Sequence, residues 1–370
     1  MIKYIQIENF KSLKCVSMKI SNITLLFGLN SAGKSSVIQA INLLRQSYWE
    51  NRKKGIDNIY LNGDMVNLGT INEVLNKTTD EHKIRFVFMD DKDECTDVTI
   101  KNPEEHYYED VIDDVEATVS SEMSIFGDRY CYIGAEHIGP QLKYSMKEWN
   151  RAGSNIFGVD GKYVVPFLAE NGETFKVPKK MCLPEAKSDK LIDQVTAWMS
   201  KISPGIQLRT EIELYERNSK LIINYSNERE MLSGFTPISV GFGISYVLPI
   251  IVVLLISASD AMVLLENPES HLHPGAQSWM ADLISRAAQN GAQIICESHS
   301  DHIINGVRLA VKKKTIKQSD VSIKYFNKDF DQNTNVINID IDKNGNLSEY
   351  PKGLLDEWGS IMSKLVLDGE

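Results

Sequence analysis

The sequence predicts an α/β fold with a mainly parallel sheet. Three features point to it. Two strand-like segments, residues 2–8 and 16–20, open the chain. A glycine-rich loop follows, set between an apolar β-rich segment and a segment of helical spacing. Between residues 245 and 310 the pattern reads helix, strand, helix, strand, helix, the alternation that builds parallel sheets.

The opening strands are joined by Asn9-Phe10-Lys11-Ser12-Leu13 and lead to the strand Asn22-Ile23-Thr24-Leu25-Leu26-Phe27. Helical spacing resumes at residues 36–44. Residues 56–100 are mixed, with a strand at 83–89, and the acidic stretch 109–116 reads as solvated surface. Tyr130-Cys131-Tyr132-Ile133 reads as a strand ending in the loop 134–140. Residues 188–202 form an amphipathic helix with Ser188 as its N-cap and Leu191, Ile192, Val195, Trp198, Met199 and Ile202 on one face. Alternation over 206–226 reads as a hairpin. A last hairpin turns at Asn344-Gly345, with a helix expected through about Leu367.

Composition narrows the class. The 370 residues suit one large domain or two ordinary ones, and 42% hydrophobic content supports a substantial core. The five cysteines are scattered without a C-x-x-C pair, which favours reduced thiols in a cytoplasmic protein over a disulfide framework. The N-terminus lacks the apolar block of a signal peptide. Ser257-Ala258-Ser259-Asp260 breaks the apolar run from Tyr246 to Leu265, which is therefore read as a buried helix and a buried strand, with no membrane partner. A net charge of −10 weighs against nonspecific DNA binding. The basic run 311–317 is read as a helix end facing solvent. No heptad repeat runs between the glycine loop and residue 240, which argues against a coiled-coil arm.

The loop itself, Gly28-Leu29-Asn30-Ser31-Ala32-Gly33-Lys34-Ser35, matches the phosphate-binding pattern G-x-x-x-x-G-K-S/T. Backbone N–H groups from Asn30, Ser31, Ala32, Gly33 and Ser36 would surround phosphate oxygens at a helix N-terminus. Lys34 would reach the β/γ-phosphates, and the Ser35 hydroxyl would ligate Mg²⁺. The expected ligands are thus ATP and Mg²⁺. An apolar strand ending Leu265-Glu266-Asn267-Pro268-Glu269 supplies the acids such a site needs. Glu266 at the strand tip suits the metal, and Glu269 beyond the proline turn suits the attacking water. His299 follows a second apolar strand and is placed to sense or stabilise the γ-phosphate. His271, His273, His299 and His302 have simpler roles in this arrangement than a transition-metal site.

Residues 1–13, the phosphate loop, the run 264–274 and Glu297-Ser298-His299-Ser300-Asp301-His302 together resemble ABC-type ATPases of the SMC, RecF and OLD group. Residues 61–69 and 350–358 resemble a short branch of it, without coiled coil or appended nuclease domain. The resemblance implies a P-loop NTPase of ABC type, with a mainly parallel sheet core, an N-terminal antiparallel β subdomain and a helical lobe. It implies one such domain over 1–370: an N-terminal lobe 1–140, an insertion or helical lobe 141–205, a half carrying the remaining motifs 206–345, and a C-terminal helix 346–370. It makes Glu266 the Mg²⁺-side acid where the family usually has Asp. Asn267 stands where the family usually has its catalytic Glu, with Glu269 as the substitute. His299 becomes the switch histidine, residues 270–273 an interface loop, Lys11 a residue near the nucleotide, and 134–141, ending at Gln141, the glutamine loop. The signature turn falls at Ser239-Val240-Gly241-Phe242-Gly243-Ile244-Ser245, where Gly241 replaces the usual serine and Ser239 or Ser245 supplies the hydroxyl. In such proteins this turn meets the γ-phosphate on the other subunit, so ATP would join two copies.

The function implied is an ATP-hydrolysing subunit that dimerises on ATP and regulates or loads a separate effector, such as a nuclease, in antiphage defence or DNA repair. The alternative is a self-sufficient RecF-like DNA-binding ATPase, which the acidic charge counts against. A small-molecule kinase has no place for the signature turn and switch histidine.

Overall fold

The computed structural model describes residues 1–146, 155–226 and 231–355. At its centre is a six-stranded sheet in the order Thr334–Ile339, Val321–Lys328, Ile23–Gly28, Gln293–Glu297, Met262–Glu266, Tyr130–Ile133. The first two strands pair antiparallel and every other neighbouring pair is parallel. The central strands are apolar at successive positions because both faces are covered, as parallel sheets require. Leu25, Val263, Leu265, Ile294 and Cys296 enter one core, whereas Leu26, Met262, Leu264 and Ile295 enter the other.

The second of these cores is closed by the helix Lys34–Glu50, through Val37, Ile38, Ile41 and Leu44, and by a five-stranded antiparallel sheet. That sheet runs Leu13–Lys19, Ile2–Phe10, Lys83–Asp90, Cys95–Lys101, Val115–Thr118. The first core holds the helices Val164–Asn171, Leu191–Ile202, Phe242–Ile256, Pro274–Gln289 and Asp301–Lys312. A four-stranded antiparallel sheet formed by Tyr144–Ser145, Ile206–Glu213, Asn218–Ser226 and Met231–Phe235 packs with the helical lobe. Among the described residues no helix is long and apolar enough to cross a membrane. The apolar run is the buried helix Phe242–Ile256 followed by the buried strand Met262–Glu266.

Several local expectations need correction. The amphipathic helix starts at Leu191 with Lys190 as its cap residue. Ser188 instead accepts from the Lys190 N–H and donates to Asp193 Oδ2, so its hydroxyl closes a turn ahead of the helix. The acidic stretch contains paired backbone: Val111–Ile112 bonds Ile59–Tyr60, and Ile112 is fully buried. Glu109, Asp110, Asp113 and Glu116 are exposed, so the stretch is solvated as read, with Ile112 its one buried side chain. The late hairpin is Val321–Lys328 with Thr334–Ile339, turning within residues 329–333. At Asn344-Gly345 the chain turns between one isolated bridge, Ile341 to Leu347. Residues 346–355 are not helical, and the rest of the expected C-terminal helix lies outside the described residues.

Candidate nucleotide site

Parallel register brings the motifs together at one edge of the central sheet. Glu297 pairs with Leu26 of the phosphate-loop strand on one side and with Glu266 on the other. Strand carboxyl ends in such a sheet open onto a crevice, the usual place for ligands. Here the crevice is a cavity of about 330 Å³ lined by Ser12, Asn30, Ser31, Gly33, Lys34 and Ser35, together with Ser36, Asn267, Glu297 and His299.

Two glycines shape the loop. Gly28 has φ +131°, and a Cβ there would lie 2.0 Å from the Phe326 carbonyl oxygen. Gly33, at φ +101°, caps the helix Lys34–Glu50 without a side-chain bond, and a Cβ there would meet Thr334 Oγ1 at 2.4 Å. Both conformations favour glycine. With no side-chain cap and no acidic residue in the first turn, the helix keeps its N-terminal N–H groups for an anion. Ala32 is fixed from behind: Thr334 Oγ1 donates to its carbonyl oxygen at 2.8 Å and lies 2.8 Å from Ser12 Oγ. Sequence reading gave Ser12 and Thr334 no role, since hydroxyls in a turn and at a strand start carry no motif.

Lys34 is 3% exposed. Its Nζ donates to the carbonyl oxygens of Gly28 at 3.1 Å and Leu29 at 2.8 Å, and lies 3.9 Å from Glu297 Oε1. Burial lowers its pKa, partly offset by Glu297. Ser35 Oγ donates to the same Glu297 oxygen at 3.1 Å. Burial raises the Glu297 pKa against the pull of Ser35 and Lys34, and its Oε2 is buried without a hydrogen bond. Sequence reading missed this acid. The available signal was a carboxylate ending an apolar strand two residues before His299.

Glu266 takes a different place. Its Oε1 accepts from the Tyr132 hydroxyl at 3.0 Å, and burial followed by the Glu297 charge pushes its pKa up to about 7. It does not line the phosphate cavity. Asn267 does, with φ +49°, its N–H on the Glu297 carbonyl at 2.9 Å and its Oδ1 buried and unbonded. Glu269 accepts from the His299 backbone N–H at 2.7 Å and lines a neighbouring cavity together with His299, Gly28 and Leu29. Burial raises the Glu269 pKa. The exposed His299 ring has a lowered pKa, from partial desolvation and then Lys34. His273 caps its own helix, accepting from the Gly275 N–H, while His271 packs edge-on to Phe242 and Tyr246.

Lys11 reaches Gln39 Oε1 at 2.8 Å on the phosphate-loop helix and does not line the cavity, although its neighbour Ser12 does. Gln141 is exposed. Nor do Ser239, Gly241, Gly243 and Ser245 line the cavity. The Ser239 hydroxyl sits 3.0 Å from Thr236 Oγ1, Ser245 is buried with an unbonded hydroxyl, and a Cβ at Gly241 would meet open space.

The donor set fits Mg²⁺·ATP. It offers free helix N–H groups and a lysine for phosphate, and hard hydroxyl and carboxylate oxygens for the metal. Glu297 and Asn267, which both line the cavity, each carry a buried oxygen without a hydrogen bond.

Comparison with known proteins agrees with this fold. The chain is similar to an SMC head bound to the C-winged helix domain of ScpA, with TM-score 0.51 and 12% identity over 92% of this chain and 98% of that one. It is also similar to the Smc head with an extended coiled coil bound to the C-terminal domain of ScpA, from Pyrococcus furiosus, with TM-score 0.50 and 13% identity over 99% of each chain. A search of curated proteins found no match. Residues 316–365 match a family described as "Protein of unknown function (DUF3696)". Residues 23–305, well over half the chain and spanning every motif from the phosphate-loop strand to His299, match the family model "AAA domain, putative AbiEii toxin, Type IV TA system". With its ABC-type P-loop fold, that of SMC heads, the chain belongs to this family of AAA ATPase domains.

Proposed function

We propose that this protein is an ATP-switched subunit: two copies close around Mg²⁺·ATP, hydrolysis releases them, and the cycle regulates or loads a separate effector. One observation carries the reading. The cavity is lined from one chain by the phosphate loop, Glu297 and His299, but by no residue of the Ser239–Ser245 turn. That turn opens the helix Phe242–Ile256, whose cap Gly241 makes no side-chain bond and whose first turn has no acid. A helix N-terminus in that state has affinity for an anion. Ile238 and Phe242 beside it are 55% and 46% exposed, which suits a face that another copy covers.

Within the site, Lys34 binds the β/γ-phosphates, Ser35 and the strand-tip acids hold Mg²⁺, and Glu269 with His299 positions the water. Mg²⁺ supplies charge neutralisation of the phosphates when bound. The SMC heads above bind ScpA, which supports a partner on a separate chain. The toxin–antitoxin description of the matched family favours a defence role for a cytoplasmic protein over a repair role. The net charge of −10 counts against duplex DNA as the primary ligand.

Light scattering with a non-hydrolysable ATP analogue and Mg²⁺ tests the switch. The expected outcome is a doubling of mass that reverses on nucleotide removal. A monomer at saturating nucleotide would sink the shared-site reading. A salt-dependent shift of duplex DNA by the purified protein with ATP would favour the DNA-binding alternative instead.

A further inference from the structure

In the site described above, the acid that faces the Ser35 hydroxyl comes from the wrong strand. The sequence places an acid at the tip of Met262–Glu266 for the metal, yet Glu266 is bonded to Tyr132 and does not line the phosphate cavity. Glu297, one strand closer to the phosphate loop, lines that cavity and holds Ser35. We propose that Glu297 is the direct carboxylate ligand of the Mg²⁺ bound at Ser35, and that Glu266 stands behind it as a positioning residue.

Spacing supports the assignment. Mg²⁺ takes oxygen ligands at about 2.0–2.1 Å in near-ideal octahedral geometry, so two adjacent ligands lie about 3 Å apart. Ser35 Oγ and Glu297 Oε1 are 3.1 Å apart. Register supplies the reason that the exchange is possible: Glu266 and Glu297 are direct partners on parallel strands, so moving the metal acid by one strand keeps its height at the sheet edge.

Bonding supports it as well. Glu297 Oε2 is buried and unbonded, and a carboxylate oxygen left so is costly unless something else fills the place. Asn267, which also lines the cavity, has a buried and unbonded Oδ1 as well. Lys34 at 3.9 Å partly compensates Glu297 in the free chain. Were phosphate to draw Lys34 away, a cation on Glu297 would replace that compensation. Glu266 already has a fixed partner in Tyr132, whose backbone is in turn clamped by Asn155 through Asn155 Nδ2 to the Tyr132 carbonyl at 2.6 Å.

The assignment rests on the nucleotide reading, and the test separates the two. Mn²⁺ serves as the probe, followed by electron paramagnetic resonance with a non-hydrolysable ATP analogue, alongside calorimetric titration of the analogue in EDTA. Glu297→Gln keeps the volume and a hydrogen bond to Ser35 while removing the charge. It should weaken Mn²⁺ in the ternary complex by at least the roughly tenfold that losing even a supporting group costs a metal site. Metal-free nucleotide affinity should not fall, because the substitution removes a negative charge facing the phosphates. Glu297→Asp should fall between Glu297→Gln and the unsubstituted protein, and Glu266→Gln should lose less than Glu297→Gln. Equal Mn²⁺ affinity in Glu297→Gln and the unsubstituted protein, or a larger loss in Glu266→Gln, overturns the assignment. Failure of the unsubstituted protein to bind the analogue either in EDTA or with Mg²⁺ would overturn the nucleotide reading itself, and this one with it.

Discussion

Two helix N-termini in this molecule are built alike and surrounded differently. Gly33 precedes Lys34–Glu50 and Gly241 precedes Phe242–Ile256, each without a side-chain cap and without an acid in the first turn. Around Gly33 there is no room: Thr334, Ser12 and Leu13 crowd the position of a Cβ. Around Gly241 a Cβ meets nothing within 4 Å. Uncapped N–H groups need an acceptor, from water or from a ligand. The enclosed terminus has Lys34 and Glu297 beside it on the same chain, while the open one fronts empty space at Gly241. Under the proposed shared site, the enclosed terminus would be one half and the open turn of a second copy would supply the other.

The largest expected effect tests whether the enclosed half also does the chemistry. Glu269→Gln should retain ATP and slow hydrolysis by about 10²- to 10⁴-fold, the usual contribution of a positioned base. The nucleotide-bound pair should then accumulate, visible by light scattering. If Glu266→Gln does this and Glu269→Gln turns over normally, the water belongs to the other acid. Next comes Lys34→Ala. Losing hydrogen bonds from a charged group costs about 1.5–3 kcal/mol, roughly a 10- to 150-fold weaker ATP affinity by calorimetry. Unchanged affinity would sink the phosphate-loop assignment.

A smaller effect probes the open half. Gly243 is a poor choice there, because a Cβ would press on the His271 carbonyl oxygen of the same chain at 2.8 Å. Gly241, with an ordinary φ of −58° and open space, reads only what comes from outside. Gly241→Trp should bind ATP normally and lose about tenfold or more in pairing, a difference of about 1.4 kcal/mol. Mixed with Lys34→Ala, at concentrations where each alone hydrolyses little, it should recover part of the hydrolysis. No recovery at any ratio, with both variants folded, would favour a site completed within one chain.

The two halves were also unequally legible. The phosphate loop is a contiguous motif, so Lys34 and Ser35 were readable together with the strand and helix beside them. Parallel strands were readable because burial on both faces leaves runs such as Met262 to Leu265 without polar interruption. Glu297 was not assigned, because its role depends on which strand lies next to Ile23–Gly28, and neighbour order is a property of topology. Ser12 and Thr334 were invisible for the same reason: 322 positions separate them in sequence. The N-cap at Ser188 failed on local competition, since a serine hydroxyl closes a turn as readily as it caps a helix.

The smallest expected effect is a dependence on pH that would sharpen the contrast from the enclosed side. Glu266, Glu269 and Glu297 all have pKa values raised by burial, with Glu266 at about 7. Most structural carboxylates are shifted the other way, so the sign is reversed here. A raised acid binds more protons in the folded chain than in the unfolded one, and stability therefore falls as pH rises from the ordinary glutamate value of about 4.3 toward the folded pKa. For Glu266 that window closes near 7. Without nucleotide, Glu266→Gln should gain melting temperature relative to the unsubstituted protein across pH 5 to about 7 and hold a constant lead above it. Mg²⁺ with an ATP analogue should shrink that lead, because a cation in the cavity favours the ionised acids that burial opposes. The measurement is a pair of thermal-unfolding series over pH 5–8, with and without Mg²⁺ and the analogue. A lead that does not change with pH would mean that Glu266 is ionised in the folded chain throughout. The enclosed half would then carry its charges ready-made, without a metal to hold them.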